Sequence, residues 1–410
     1  MIFYTNTLAL LIYVIFIVFF FKNYNRYLIF NFQLIFANSW MLISIYYHDS
    51  IVFYNWETKV TTYETFTTSI VAMILLSFLF GTFVTFSVLR KVSFKSRDYK
   101  VFIPFYAIVI CILFIVIYND FIILNYLDYE KSVIFSMNPM FNLVGYYAIF
   151  SFLLGIGFYY YNYKVLSLSI ICFMIFFGFL HGAKFTYFME IILPFFMPLI
   201  IKKKIILVFK LNFFLYLLFT VIIFLMFTLY KYSYYDLNNI EYAIEILMFR
   251  LFAGQGGLAW SVISLDIHNL QHFSVEINKV WNPTVDTNLV GLKYLMHLIN
   301  IPEDVFKRGY LLTMGFEAGL FYMFGIVLSL LFSFLFGILN ALNIIYIYIS
   351  TRKLHFIRAV IAFSILISLQ ALFFTGNYFV FFTTGLLVKI LIIFILESYS
   401  NQTQARMERN

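Results

Sequence analysis

Charged side chains are the first scarcity. Asp, Glu, Lys and Arg make up 11% of the 410 residues, less than half the roughly 25% of soluble domains. That excludes a soluble globular fold. Cysteine is nearly absent. Cys111 and Cys172 both lie inside apolar runs without metal-type spacing, so they read as packing residues, and neither a disulfide framework nor a zinc site has support. The chain also lacks a Gly-x4-Gly-Lys-Ser/Thr loop, an HExxH helix and a Gly-x-Ser-x-Gly elbow. Nucleotide hydrolysis, zinc proteolysis and serine hydrolysis therefore have no motif to rest on. The first apolar run, Leu8–Phe21, has no basic region before it and no small-residue cleavage site after it, and reads as a retained helix.

What is present is apolar. Hydrophobic residues reach 63% and mean hydropathy +0.93, and runs long enough to cross ~30 Å of hydrocarbon recur along the chain. Candidate spans fall at residues 5–21, 27–47, 65–89, 101–119, 141–162, 165–181, 185–201, 205–230, 322–349, 359–376 and 378–397. The expected fold is an all-α polytopic membrane protein with about 11 transmembrane helices (10–12). Helices 1–8 occupy 1–230, a large loop 231–309, helices 9–11 310–397, and a cytoplasmic tail 398–410. The abundant Phe and Tyr fit lipid-facing surfaces with aromatic belts.

The net charge of +8 does not point to nucleic acid, because most of it is spent on topology. Lys22 and Arg26, the run 90–100, Lys164, Lys202–Lys204, the run 351–358, and Arg406 with Arg409 fall in alternate loops. All can face the cytoplasm at once under the positive-inside rule. Loops 48–64, 120–140 and 231–309 then lie outside, as does the N-terminus. No internal repeat is visible.

The segment 231–309 is too polar for a bilayer and holds eight of the 19 acids and three of the six His. Within it, residues 240–252 have apolar positions at helical spacing, which predicts an amphipathic helix at the outer interface. Arg250 closes that helix and AGQGG (253–257) and Trp260 follow. A guanidinium beside a Gly-rich turn with exposed N–H groups (Gln255, Gly256) can grip a phosphate bidentately. Taken alone, Arg250 reads first as a snorkelling anchor. Lys184, at the start of a helix after the hairpin HGAK, would favour an anion together with unpaired N–H groups, and also reads as an interfacial lysine. Lys307 and Arg308 form a third basic point. Glu317 and Glu190 lie in apolar segments, where a carboxylate is costly and by default functional. Glu317 is expected near the outer face as a catalytic base, whereas Glu190 is expected to pair with Lys389. His268, with Asp266 and His272, could also supply a base, but no third ligand at fixed spacing makes a metal site. The glycine-rich run 309–325 around Glu317 is expected to dip into the membrane before a true span begins near Tyr322.

These features resemble the bacterial O-antigen polymerase family, the oligosaccharide repeat-unit polymerases of Wzy type. The resemblance rests on the span count with one large loop in the second half, on HGAK ahead of a mid-chain helix, and on RLFAGQGG (250–257) followed by TMGFEAG. Lys184 stands where relatives more often carry arginine. The resemblance implies a metal-independent, cofactor-free glycosyltransferase at the periplasmic face of the inner membrane. It would transfer a glycan from undecaprenyl diphosphate to a hydroxyl of another lipid-linked repeat unit. Arg250 would stabilise the departing diphosphate with Lys184, Arg308 and the Gln255–Gly256 backbone. Glu317 or His268 would take the hydroxyl proton, and Trp260 would bind sugar. Membrane lipid and a separate chain-length regulator are the further partners implied. A lipid-linked oligosaccharide flippase and an O-antigen ligase are the competing readings, and the long outer loop argues against the flippase.

Overall fold

The computed structural model describes residues 2–47, 50–53, 58–61, 66–89, 147–180, 185–203, 315–375 and 383–409, with isolated positions between 263 and 282. These form helices α1 (Ile2–Tyr47), α2 (Thr67–Leu89), α3 (Tyr147–Tyr160), α4 (Lys164–Leu180), α5 (Phe185–Lys203), α6 (Gly315–Arg352), α7 (Phe356–Thr375) and α8 (Thr384–Arg409). One short antiparallel ladder, β1 (Ser50–Phe53) with β2 (Thr58–Thr61), pairs Ser50 with Thr61 and Phe53 with Thr58. Ile2–Tyr24, Thr67–Leu89 and Gly315–Arg352 are long and apolar enough to cross a membrane, and α3, α4, α5 and α7 carry shorter apolar stretches. This is a membrane helical protein.

Nine of the eleven candidate spans fall on these helices; 101–119 and 205–230 lie outside the described residues. α8 continues as helix through the expected tail to Arg409. Cys172 also differs: it is an exposed, free thiol on the surface of α4, where an apolar medium accepts it without packing.

α1 is two spans. Its helical dihedrals break at Tyr24 (φ −128°, ψ 29°). In a straight helix Tyr13 and Ser39 would stand about 39 Å apart at 1.5 Å per residue, yet their hydroxyls share a hydrogen bond of 3.1 Å. Thr7 and Tyr46 do the same at 2.9 Å. The pairs share a near-constant sum of residue numbers, so residues 25–47 run back antiparallel along 2–23. The first arm runs parallel to α2, since Asn6 accepts from Ser69, Phe16 meets Phe83, Phe20 meets Phe86 and Tyr24 bonds Ser87.

α2 and α6 cross where glycine removes the side chains between them. A Cβ on Gly81 would strike the Phe334 carbonyl, and one on Gly337 the Phe78 carbonyl. The close approach lets hydroxyls reach backbone: Ser77 donates to the Leu330 carbonyl at 2.7 Å, Ser333 to Ile74 at 2.6 Å, and Thr82 to Gly337 at 3.2 Å. Small residues with interhelical hydroxyl bonds are how helices associate where lipid is as apolar as leucine. The same device joins α3 to α5, where Gly155 lies under the Phe195 carbonyl and Ser151 bonds the Ile191 carbonyl. α7 returns antiparallel to α3, with Phe152 stacked on Phe363 at 4.4 Å and Tyr161 beside Phe356.

These registers bring Lys22, Lys164, Lys202, Arg352, Lys353 and Arg358 to one end of the bundle, opposite the N-terminus. There Arg358 meets Glu397 at 3.1 Å and Tyr346 donates to the same carboxylate at 2.5 Å, tying α6, α7 and α8. These six basic residues thus gather at one end among the described residues. Reporter fusions near residue 95 and near residue 270 are expected to report opposite sides of the membrane. Signals from one side for both would overturn the expected alternation of basic loops.

Candidate functional site

Nearly all of the residues singled out from the sequence lie outside the described residues: Lys184, Arg250, Gln255, Gly256, Trp260, His268 and Arg308, with the Glu190 side chain. Asp266 is described, exposed, in a turn at φ +51°. Glu317 is the one that can be built from the ground up.

α6 spans 38 residues, about 57 Å as a straight helix, far more than a bilayer core needs. It is broken at Gly325, whose φ of +64° and ψ of −175° no helix contains. The fold-back follows from contacts. Phe324 and Phe332 stack with centroids 4.6 Å apart, although eight helical residues span about 12 Å. Past the break, residues 330–337 lie against 74–82 of α2. A continuous parallel helix would set Phe316 about two turns short of α2's start, yet Phe316 packs on Phe78 at 5.4 Å. Residues 315–324 are therefore a half-helix that starts beside the middle of α2 and climbs toward the N-terminal end of the bundle. The chain turns there at Gly325 and descends as the true span, 326–352. The break falls at Gly325, three residues past the expected span start near Tyr322.

Residues 315–323 are buried on every side, as a helix apolar all round requires. Gly315 opens it at φ +70°, in the left-handed region that glycine tolerates. A Cβ there would stand 2.5 Å from Glu317 Oε2 and 3.4 Å from Met41 Sδ. Glycine at 315 thus leaves the space that the carboxyl curls into. Glu317 is fully buried, and neither of its oxygens has a hydrogen-bond partner. The Tyr13 hydroxyl is itself buried and bonded to Ser39. Phe78, which packs on the adjacent Phe316, lies at the centre of α2. Glu317 therefore sits beside the middle of α2, where the fold-back of its half-helix, which hydropathy does not report, carries it.

A second polar set lies farther toward the basic end. Asn340 donates to Asn31 Oδ1 at 2.9 Å, both buried, and Gln370 donates to the Phe30 carbonyl at 2.7 Å. The sequence reading passed over these amides because single Asn and Gln residues barely move a hydropathy window. Their position on helix faces that also carry Leu34, Ile35 and Ala341 was the available signal. Among the described residues no cluster of His, Cys, Asp or Glu could hold a metal ion.

Residues 286–390 match a family of unknown function (DUF6418). The matched stretch is about a quarter of the chain, and it centres on α6: it includes the half-helix, Glu317, the Gly325 turn and all of α7. No curated protein and no solved structure matches the chain. The re-entrant element and the family match coincide.

Proposed function

We propose that this protein polymerises undecaprenyl-diphosphate-linked oligosaccharide repeat units at the outer face of a bacterial inner membrane, as the resemblance of RLFAGQGG and TMGFEAG to Wzy-type polymerases suggests. The observation that carries the reading is Glu317: a buried acid without a partner, at the start of a half-helix, directly after the long polar segment 231–309. An intramembrane carboxylate is expensive and is kept for function. Backbone that starts or stops at membrane depth requires burial or a wet cavity.

In this reading the acceptor hydroxyl attacks the anomeric carbon of the donor. The bond from that carbon to the diphosphate oxygen breaks, and undecaprenyl diphosphate leaves with both electrons. The hydroxyl proton passes to the Glu317 carboxylate, a contribution of about 10²–10⁴-fold for a positioned base. Arg250, assisted by Lys184, Arg308 and the amides of Gln255 and Gly256, stabilises charge on the diphosphate. The leaving group is already a good one, so neither a metal nor a cofactor is called for.

A second reading has one specific observation in its favour. Secondary transporters bind substrate near mid-membrane between discontinuous helices, and α6 is such a helix. A lipid-linked oligosaccharide transporter would use Glu317 as a coupling group instead of a base. A lipopolysaccharide gel of a strain lacking the gene separates the two. Core capped by a single repeat unit supports polymerisation; loss of every repeat unit supports export or ligation; an unchanged ladder removes both.

Arg250→Ala is expected to abolish long-chain glycan at unchanged protein level in the membrane. Arg250→Lys should fail to restore it, because a point charge cannot replace a planar, two-pronged donor. Normal chain length in the alanine variant would take Arg250 out of the site.

A further inference from the structure

We propose that the seam between the ends of α3, α5 and α6 binds the phosphate headgroup of an anionic membrane lipid, held by Lys202, Arg352 and the Tyr160 hydroxyl. It is a different site from Glu317 and stands whether or not the polymerase reading does. Lys202 is exposed, but its ammonium is fixed in place. Nζ donates to the Tyr159 carbonyl at the end of α3 and lies 5.3 Å from the centre of the Tyr160 ring. An ammonium has three donors, so two remain for a ligand. The Tyr160 hydroxyl is buried and has no hydrogen-bond partner. A polar group in that state calls for an explanation, and a bound acceptor supplies one.

Arg352, in the last turn of α6, is exposed and makes no ion pair among the described residues. The chain turns directly after it: the amides of Leu354, at φ +59°, and His355 donate to the Thr351 and Ser350 carbonyls. That turn delivers Phe356 against Tyr161, the residue after Tyr160, with centroids 5.7 Å apart. One ring contact thus joins the end of α6 to the end of α3, with Arg352 and Tyr160 each a few residues from it. Charge names the partner. Among the described side chains Glu397 is the acid at this end, and Arg358 takes it at 3.1 Å. Lys22, Lys164, Lys202 and Arg352 are left without a carboxylate among the described residues. Basic pockets between helix ends hold anionic headgroups, and the planar fork of Arg352 matches two phosphate oxygens. A zwitterionic headgroup would bring its own cation up against these. Exposed Val165 and Ile357, just beyond the two turns, offer apolar surface to the acyl chains.

The test uses the full-length protein purified in detergent, with phosphatidylglycerol or phosphatidylcholine added at equal concentration. Native mass spectrometry should show phosphatidylglycerol retained and phosphatidylcholine lost. Arg352→Gln and Lys202→Gln should each lower retention about fivefold, the effect of one basic residue at a charged headgroup. Should Lys202→Gln fail to accumulate, since Lys202 also caps α3, Arg352→Gln carries the test alone. Tyr160→Phe should lower retention at an unchanged amount of protein in the membrane. Lys22→Gln removes the same charge from the same end, on the side where α1 meets α2, and should leave retention as it is. Equal retention of the two lipids would overturn the proposal. So would a Lys22→Gln variant that loses as much lipid as Arg352→Gln, because charge would then act without a site, and so would full retention in Tyr160→Phe. Displacement of the lipid by inorganic phosphate would assign the cations to a soluble anion and overturn it as well.

Discussion

Glu317→Gln is expected to lower glycan chain extension by at least about 10²-fold, the lower range for loss of a positioned base, while the protein remains in the membrane at normal level. Glutamine keeps the shape of the side chain and removes the proton-accepting oxygen, so the loss would report chemistry and not collapse. Glu317→Leu sharpens the point. It should be equally inactive, yet more resistant to unfolding in detergent by about 1–3 kcal/mol, because a buried group with no hydrogen bonds costs about that much. A gain in stability coupled to a loss of activity is the signature of a residue retained for function. If Glu317→Leu instead destabilises the protein, the carboxyl has a structural partner and the argument for its role fails. Glycan chain length on gels, with thermal unfolding of the purified variants, reads both quantities.

Gly337→Leu should produce the largest structural effect. The Gly337 Cα faces the Phe78 carbonyl so closely that even a methyl group would overlap it, and the obstacle is backbone, which cannot swing aside. α2 and α6 would have to separate. The hydroxyl bonds from Ser77, Ser333 and Thr82 to opposing carbonyls would then be lost together. Overpacking alone typically costs 1–3 kcal/mol, and the added hydrogen-bond losses place the total at roughly 3 kcal/mol or more. Gly81→Leu, facing the Phe334 carbonyl across the same crossing, should behave alike. The two together should cost less than their sum, since either one opens the same contact. Abundance in membranes and midpoint of unfolding are the measurements. A Gly337→Leu variant as stable as the parent would mean that the helices do not approach here.

The apolar helices among the described residues were legible in the sequence because each carries a run of Leu, Ile and Phe of the kind lipid requires. The reversal between residues 21 and 27 was likewise visible as Lys22 and Arg26 interrupting two apolar runs, and the break at Tyr24 lies between them. What hydropathy could not carry was direction within the membrane. Residues 315–324 are as apolar as a span, so only their glycines and Glu317 hinted at a half-helix, and its position emerged from Phe316 against Phe78. The β1–β2 hairpin was read as plain loop: its four-residue strands are too short for an alternation pattern to stand out. The site was legible in part. Glu317 announced itself as an acid among apolar neighbours, but Met41 and Phe78, which wall the Gly315–Glu317 turn, look like ordinary helix residues until the half-helix folds back beside them.

The half-helix also constrains how the protein can be made. A helix that starts beside the middle of another cannot be released into lipid by itself, since hydrocarbon offers the first N–H groups of a helix nothing. It must be received by a ready-made cradle. That cradle is α1 and α2, whose Met41 and Phe78 wall the Gly315–Glu317 turn, and both are synthesised well over 200 residues earlier. Ribosomal order thus places the receiving wall in the membrane first, and the turn at Gly325 lets the latecomer slot in without crossing the bilayer. A chain that began after α2 would present residues 315–324 with no shelter during insertion.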